Sequence, residues 1–407
     1  MYLSSQPNFS LITTCRRRHS RALSCNFPTA RLQNWFLPAE VLQEVMHPSF
    51  KKVQMLESDN FITELNQPLN MATDPPFHQA YKSLIEDTSN NIFGKKLVLV
   101  EECELPLIDL SRILHNDNVV DESEREECKE EIARASQQWG FFQVTNHGIS
   151  KDLLEKMREE QVKVFKQPFD KKSKEDKFMN FPAGSYRWGT PTATCLNQLS
   201  WSEAFHIPMA DISASAAAFT TLSSTLEQFA TTVAGLARKL TAILAEKLGR
   251  ESTFFQENCL PSTCYLRMNR YPPCPVPSAI HGLMPHTDSD FLTILHQDEV
   301  GGLQLVKDGK WIAVKPNPEA LIVNIGDLFQ AWSNDVYKSV EHRVVTNPST
   351  ERFSIAYFFC PSYDTVIQNS EPSNYRKFSF REFRLQVQED VQKYGHKVGL
   401  PRFLISH

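Results

Sequence analysis

The sequence predicts a mostly β protein with flanking helices around a jelly roll or barrel core. Three observations point there. After Thr263 the periodicity shortens to strand-like runs at Cys264–Tyr271, Phe291–His296, Leu303–Val306, Trp311–Val314, Ala320–Ile325, Ser339–Val345 and Phe353–Cys360, with turn residues between them. Within that stretch, Lys307-Asp308-Gly309-Lys310 carries Asp-Gly at its centre, a hairpin signal. Upstream, Leu222, Leu226, Phe229, Val233, Leu236, Leu240 and Leu244 are spaced by 4, 3, 4, 3, 4 and 4, one apolar stripe along a long helix.

A chain of 407 residues can bury a full core. Its 43 basic against 48 acidic side chains, net −5, give no electrostatic reason for a nucleic acid or an anionic membrane as partner. No uninterrupted apolar run approaches the roughly 20 residues a bilayer span needs. Nine cysteines without a C-x-x-C pair read as reduced thiols of an intracellular protein.

Residues 1–39 lack Asp and Glu but hold Arg16, Arg17, Arg18, Arg21 and Arg31 among many Ser and Thr, the composition of an organelle transit peptide or of a disordered leader. Met71, in MATDPPF, makes an alternative start, so residues 1–70 are expected to lie outside the fold. The rest divides into 71–250 (a strand-helix region and the long helix), 260–365 (the β core) and 366–407 (a closing helix and tail).

In order, Leu105–Leu110 reads as a first strand, Ser123–Gln138 as an amphipathic helix and Gly140–Gly148 as a strand ending in a turn. His147 sits in that turn, where a turn role outweighs metal ligation. Ser150 reads as the N-cap of a helix over Lys151–Phe165, stopped by Pro168. Met179–Ile207 is aromatic and irregular, suited equally to covering an apolar ligand or to packing beneath a loop. Ser224 and Glu227 form a candidate capping box for the long helix and Gly249 its stop; Phe380–Tyr394 is a closing helix outside the β core.

The chemistry centres on Gly282–Leu295. In an extended segment residues i and i+2 share a face, so His286 and Asp288 project side by side. His342 follows at the far end of the β region. Two His and one carboxylate can occupy one face of an octahedral Fe(II) and leave three positions open. A closed structural zinc site would need a fourth ligand, and none stands at motif spacing. Beyond His342, Arg352 and Ser354 share a strand face and can together grip one carboxylate, while Tyr271 offers a further donor. Considered alone, Arg352 would be a surface charge; beside a metal triad it reads as an anchor.

The order Asn269-x-Tyr271, His286-x-Asp288, His342, Arg352-x-Ser354 resembles the plant soluble family of Fe(II)- and 2-oxoglutarate-dependent dioxygenases, from Leu105 to about Phe403. Within that family, MATDPPF, GSYRWGTP (184–191), QLSWSEAFH (198–206) and CYLRMNRYPPCP (264–275) are most similar to gibberellin 2-beta-dioxygenases acting on C20 gibberellins. The leader before Met71 departs from that pattern and leaves the compartment open between cytoplasm and plastid.

The resemblance implies a double-stranded β-helix in which His286, Asp288 and His342 bind iron. It implies 2-oxoglutarate chelating that metal, its distal carboxylate on Arg352 and Ser354 with Tyr271 assisting, Arg352 thereby being catalytic. Dioxygen is the co-reactant and ascorbate a supporting reductant. Hydroxylation would fall on C2, β face, of a gibberellin, an apolar diterpenoid acid for which Tyr186, Arg187 and Trp188 would form an aromatic wall and a cation. The competing readings are a dioxygenase of a flavonoid or another plant acid, a catalytically silent binding protein on the same fold, and a zinc hydrolase, which would leave Arg352-x-Ser354 unexplained.

Overall fold

Two sheets exchange strands along the sequence, and the functional cavity lies between them. The computed structural model describes residues 73–405 except 93–99, 115–120, 175–180, 182–183, 191–192, 216–220, 277–278 and 370–371. The transit-like leader and Met71 fall outside the described residues.

The strands of the two sheets are β1 (Glu101–Cys103), β2 (Leu107–Asp109), β3 (Phe141–Thr145), β4 (Tyr186–Trp188), β5 (Glu203–Pro208), β6 (Tyr265–Tyr271), β7 (His281–His286), β8 (Leu292–Gln297), β9 (Leu303–Lys307), β10 (Lys310–Val314), β11 (Leu321–Ile325), β12 (His342–Val345) and β13 (Arg352–Phe359). The minor sheet runs β1-β10-β9-β12-β7 and the major sheet β2-β3-β11-β8-β13-β6-β5-β4. From β6 to β13 the chain passes repeatedly between them, which is the jelly-roll pattern. Leu303, Leu305 and Val314 of the minor sheet pack with Phe141 and Ile322 of the major one, so the sheets share an apolar layer.

Alternation along β13 separates chemistry from core. Arg352, Ser354, Ala356 and Phe358 face the cavity, while Phe353, Ile355, Tyr357 and Phe359 join the helix-covered core. Tyr265, Arg267, Asn269 and Tyr271 of β6 repeat the pattern. The helix Thr221–Lys247 buries Leu222, Leu226, Phe229, Val233, Leu236, Leu240 and Leu244, the stripe the spacing predicts, within that core. Each such side chain taken from water contributes about 1.5–3 kcal/mol.

Local signals decide most element ends. Ser150 and Ser379 cap the helices Lys151–Phe165 and Phe380–Tyr394 by accepting from Leu153 and Glu382 amides. The β9–β10 hairpin turns on Asp308 and Gly309, both at positive φ (50° and 75°), as a type I′ turn requires. Four expectations need correction. The long helix begins at Thr221, so Ser224 lies inside it, donating to the Thr221 carbonyl at 3.2 Å rather than capping. The strand expected from Ser339 begins at His342. β1 pairs in parallel with β10 although its sequence is polar, and β4 and β5 are ordered strands within the stretch read as irregular.

Beneath β6, on the helix side, Arg270 is buried among charges. Its Nη1 lies 2.7 Å from both Asp74 and Glu203, and its Nε 2.9 Å from Glu351; Glu203 also takes Lys172 at 2.6 Å. This network ties the segment before β1 to the strand that carries Tyr271. Breaking a buried pair from one side strands the remaining charge. Arg270→Met is therefore expected to destabilise the fold by about 3–5 kcal/mol in chemical denaturation; a loss below about 1 kcal/mol would show that water already compensates the cluster.

Candidate active site

His286 ends β7 and His342 begins β12, and antiparallel pairing sets the two directly opposite. Asp288 follows in the loop after β7. The Asp288 Oδ1 atom lies 3.5 Å from His286 Nε2 and 3.7 Å from His342 Nε2, and the three donors fall within 4.8 Å of one another. Among the described residues this is the one His/Cys/Asp/Glu group so disposed to hold a metal.

The surroundings of each group settle which atom faces inward. His286 Nδ1 lies 2.7 Å from the Met284 carbonyl and His342 Nδ1 3.0 Å from that of Val340. A carbonyl only accepts, so each Nδ1 carries the hydrogen and each Nε2 presents a lone pair. On the carboxylate, Oδ2 accepts from Thr293 Oγ1 at 2.6 Å and Asn324 Nδ2 at 2.8 Å, which leaves Oδ1 to the centre. Two imidazole lone pairs and a carboxylate oxygen then converge with no hydrogen between them. Only a cation stabilises such a donor set, so these residues fit a divalent metal.

The charge states agree with that fit. Burial, then the neighbouring His286, pushes His342 down to about 4, so it is neutral near pH 7. Burial works against the Asp288 charge, and positive charge at the His342 and His286 positions, with the Thr293 hydrogen bond, outweighs it and holds the carboxyl well below the usual range; with both imidazoles neutral, a metal cation on their Nε2 atoms would supply that charge. Behind it, burial and the Asp288 charge push Asp290 well above the usual range. Thr293 Oγ1 lies 2.6 Å from Asp288 Oδ2 and 2.9 Å from Asp290 Oδ2, so its one hydroxyl hydrogen is shared between two carboxyls.

The triad opens onto a cavity of about 270 Å³ whose opposite wall is the major sheet. Arg352 on β13 stands across from Tyr271 on β6, its guanidinium 4.9 Å from the centre of that ring. Arg352 Nη2 donates to Gln297 Oε1 at 2.7 Å and Nη1 lies 3.5 Å from Ser354 Oγ. Its Nε and the Gln297 Nε2, both buried, find no hydrogen-bond partner among the described residues. A buried cation with an unmatched donor is the counterpart of an anionic group. Gly282 allows the sheets to meet here: a Cβ at that position would lie 2.6 Å from the Tyr271 ring.

All six residues singled out for metal and carboxylate thus line one cavity: His286, Asp288 and His342 on one side, Tyr271, Arg352 and Ser354 on the other. Tyr186, Arg187 and Trp188 do not line it. Tyr186 directs its hydroxyl to Glu203 on the helix side, and Trp188 packs edge-on against Phe77 and Phe169. Arg187 alone pairs with Ala204 on the cavity face of the sheet, further out. His147 accepts the Ile149 amide at 3.2 Å, a turn role.

The chain is 65% identical over 341 residues to a protein of Arabidopsis thaliana named gibberellin 2-beta-dioxygenase 8, covering 81% of this chain and 98% of that one. It is 48% identical to gibberellin 2-beta-dioxygenase 6 of Oryza sativa subsp. japonica, covering 82% and 97%. Residues 262–361 match the family model of the 2OG-Fe(II) oxygenase superfamily, and 105–220 that of the non-haem dioxygenase in morphine synthesis N-terminal region. The chain belongs to the 2OG-Fe(II) oxygenase superfamily. A solved 2OG-Fe(II) oxygenase, JOX2 in complex with 2OG, Fe and JA, superposes with a TM-score of 0.61 at 28% identity, covering 78% of this chain and 97% of that one.

As a 2OG-Fe(II) oxygenase the protein uses Fe(II) and 2-oxoglutarate. Its sequence left three supporting groups unmarked. Asn324 stands alone among apolar neighbours in LIVNI, a signal that was available, and Thr293 follows from alternation along β8. Lys397, in the tail, donates to the Thr287 carbonyl at 2.9 Å and Ser289 Oγ at 2.8 Å and pairs with Asp327 at 2.7 Å, pinning the ligand loop with no local signal. Partners of this kind orient a ligand at a cost of about 10- to 100-fold in metal affinity when removed. Asn324→Ala is expected to weaken Fe(II) binding by about that factor in an anaerobic titration; unchanged affinity would show that Thr293 alone orients Asp288.

Proposed function

We propose that this chain is a gibberellin 2β-hydroxylase acting on C20 gibberellins, using Fe(II), 2-oxoglutarate and dioxygen. The observation that carries the reading is one cavity with a three-donor metal pole on the minor sheet and a buried Arg352 pole on the major sheet. The substrate class rests on the relatives, which carry that activity in their names at 65% and 48% identity across nearly their whole length.

In this reading His286 Nε2, Asp288 Oδ1 and His342 Nε2 hold the iron. Arg352, steadied by Gln297 and stacked on Tyr271, takes the distal carboxylate of 2-oxoglutarate, and Ser354 Oγ supplies a second donor. When bound, iron and 2-oxoglutarate supply the oxidant that removes hydrogen from an unactivated C–H bond, with release of succinate and carbon dioxide. Phe141, Leu283, Leu295, Leu303 and Val344 line the space around these groups and keep water from it.

No helix among the described residues is long and apolar enough to cross a membrane. The compartment we propose is the cytoplasm; a plastid location of the full-length protein, seen by fluorescent fusion, would assign the Arg-rich leader a transit role.

The test is product analysis. The full chain with Fe(II), 2-oxoglutarate, ascorbate and air is expected to add one oxygen to a C20 gibberellin, with matching succinate by mass spectrometry. His286→Ala is expected to abolish both products. Succinate released from other plant acids but not with any gibberellin would overturn the substrate assignment while leaving the oxygenase.

A further inference from the structure

The cavity face of β6 carries two aromatic residues and two polar ones in alternation: Tyr265, Arg267, Asn269 and Tyr271. Tyr271 and its partner Arg352 form the anchor end; Tyr265 and its partner Phe358 form the other. Arg267 stands opposite Ala356, four residues along the strand from Tyr271, or about 13 Å at strand rise. Apart from Lys397, which is paired with Asp327, the cavity therefore has a second cation besides Arg352 and well removed from it.

That second cation is poorly matched by the protein. Arg267 Nε donates to Asn269 Oδ1 at 2.9 Å, but its terminal nitrogens take no hydrogen-bond partner and no carboxylate pairs with it among the described residues. The small Ala356 side chain opposite leaves the guanidinium room. Next to it lies a flat aromatic stack: His206 on Tyr265 with ring centres 3.9 Å apart and 22° between planes, then Tyr265 on Phe358 at 4.5 Å and 11°. Tyr265 and Phe358 both line the cavity. Burial, then Arg267, Arg384 and Arg187, lowers His206 to about 4, so the stack carries no charge of its own while three arginines lie near it.

We propose that Arg267 grips a carboxylate of the substrate while the Tyr265–Phe358 edge supports its apolar carbon skeleton, so that Arg267 selects acids over neutral compounds of the same shape. The assignment rests on the gibberellin reading above and deepens it. The planar fork matches a carboxylate in two parallel hydrogen bonds, and a free fork beside an apolar wall suits an apolar acid better than a sugar or a base. Arg187, on the same sheet face and exposed, adds positive field at the approach to this end.

The experiment compares wild type and Arg267→Gln on a C20 gibberellin and on its methyl ester, with iron and 2-oxoglutarate present. The variant is expected to raise the KM for the free acid by about 10- to 100-fold, with the KM for 2-oxoglutarate unchanged. Methylation is expected to cost the wild type a similar factor and to cost the variant little more, because both changes remove one interaction. Arg267→Lys is expected to fall between them, keeping charge but losing the fork. An ester penalty equally large in wild type and Arg267→Gln would overturn the assignment, since the carboxylate would then be read elsewhere. Gibberellin turnover by wild type with an unchanged KM in the variant would overturn Arg267 alone. A wild type inactive on every gibberellin would overturn the underlying reading, and this assignment with it.

Discussion

The pairing of β12 with β7 is the constraint on which the site depends. It places His342 opposite His286 at a fixed distance, and the loop that follows adds Asp288. A one-residue slip in that pairing would turn His342 away from the cavity, because strand side chains alternate. Both histidines are further held by the carbonyls two residues before them, Met284 and Val340, so backbone geometry selects the tautomer that faces inward. The ligand set is thus preorganised by main chain before any metal is considered.

The second constraint is that the two poles belong to different sheets. The minor sheet supplies the electron-rich donors and the major sheet supplies Arg352. Each pole is a buried group that the protein compensates only in part: Asp288 keeps one oxygen unengaged, and Arg352 keeps its Nε unengaged among the described residues. Burying charge without full compensation costs free energy, which a bridging ligand of opposite charge at each end returns. A divalent cation on Asp288, chelated by one end of a dianion whose distal carboxylate reaches Arg352, would have that form. Around the poles, the helix Thr221–Lys247 and its neighbours hold the major sheet from behind, and Lys397 holds the ligand loop from the tail.

What the sequence revealed and what it hid follow from how local each signal is. His286 with Asp288, and Arg352 with Ser354, were legible because i, i+2 spacing in extended chain turns both members to one side, whereas the meeting of His342 with His286 comes from the β12–β7 pairing. The long helix and the Asp308-Gly309 hairpin were legible for the same reason, each written within a few residues. β1, β4 and β5 were not, since their order comes from pairing with distant strands rather than from an apolar pattern of their own. Tyr186, Arg187 and Trp188 are adjacent in sequence, but strand alternation sends Tyr186 and Trp188 to the helix side and leaves only Arg187 on the cavity face. Lys397 reaches the site across more than a hundred residues, which no motif records.

In the proposed complex one small molecule bridges the metal on the minor sheet and Arg352 on the major sheet. Anaerobic titration of 2-oxoglutarate into the Fe(II)-loaded protein, followed by the visible charge-transfer absorption of the chelate, tests it most directly. The wild type is expected to show that absorption. Arg352→Gln, whose iron ligands are intact, is expected to show the same absorption only at 2-oxoglutarate concentrations at least about tenfold higher, the loss of one charge-assisted hydrogen bond. Equal 2-oxoglutarate affinity in the two proteins, with iron bound in both, would contradict it.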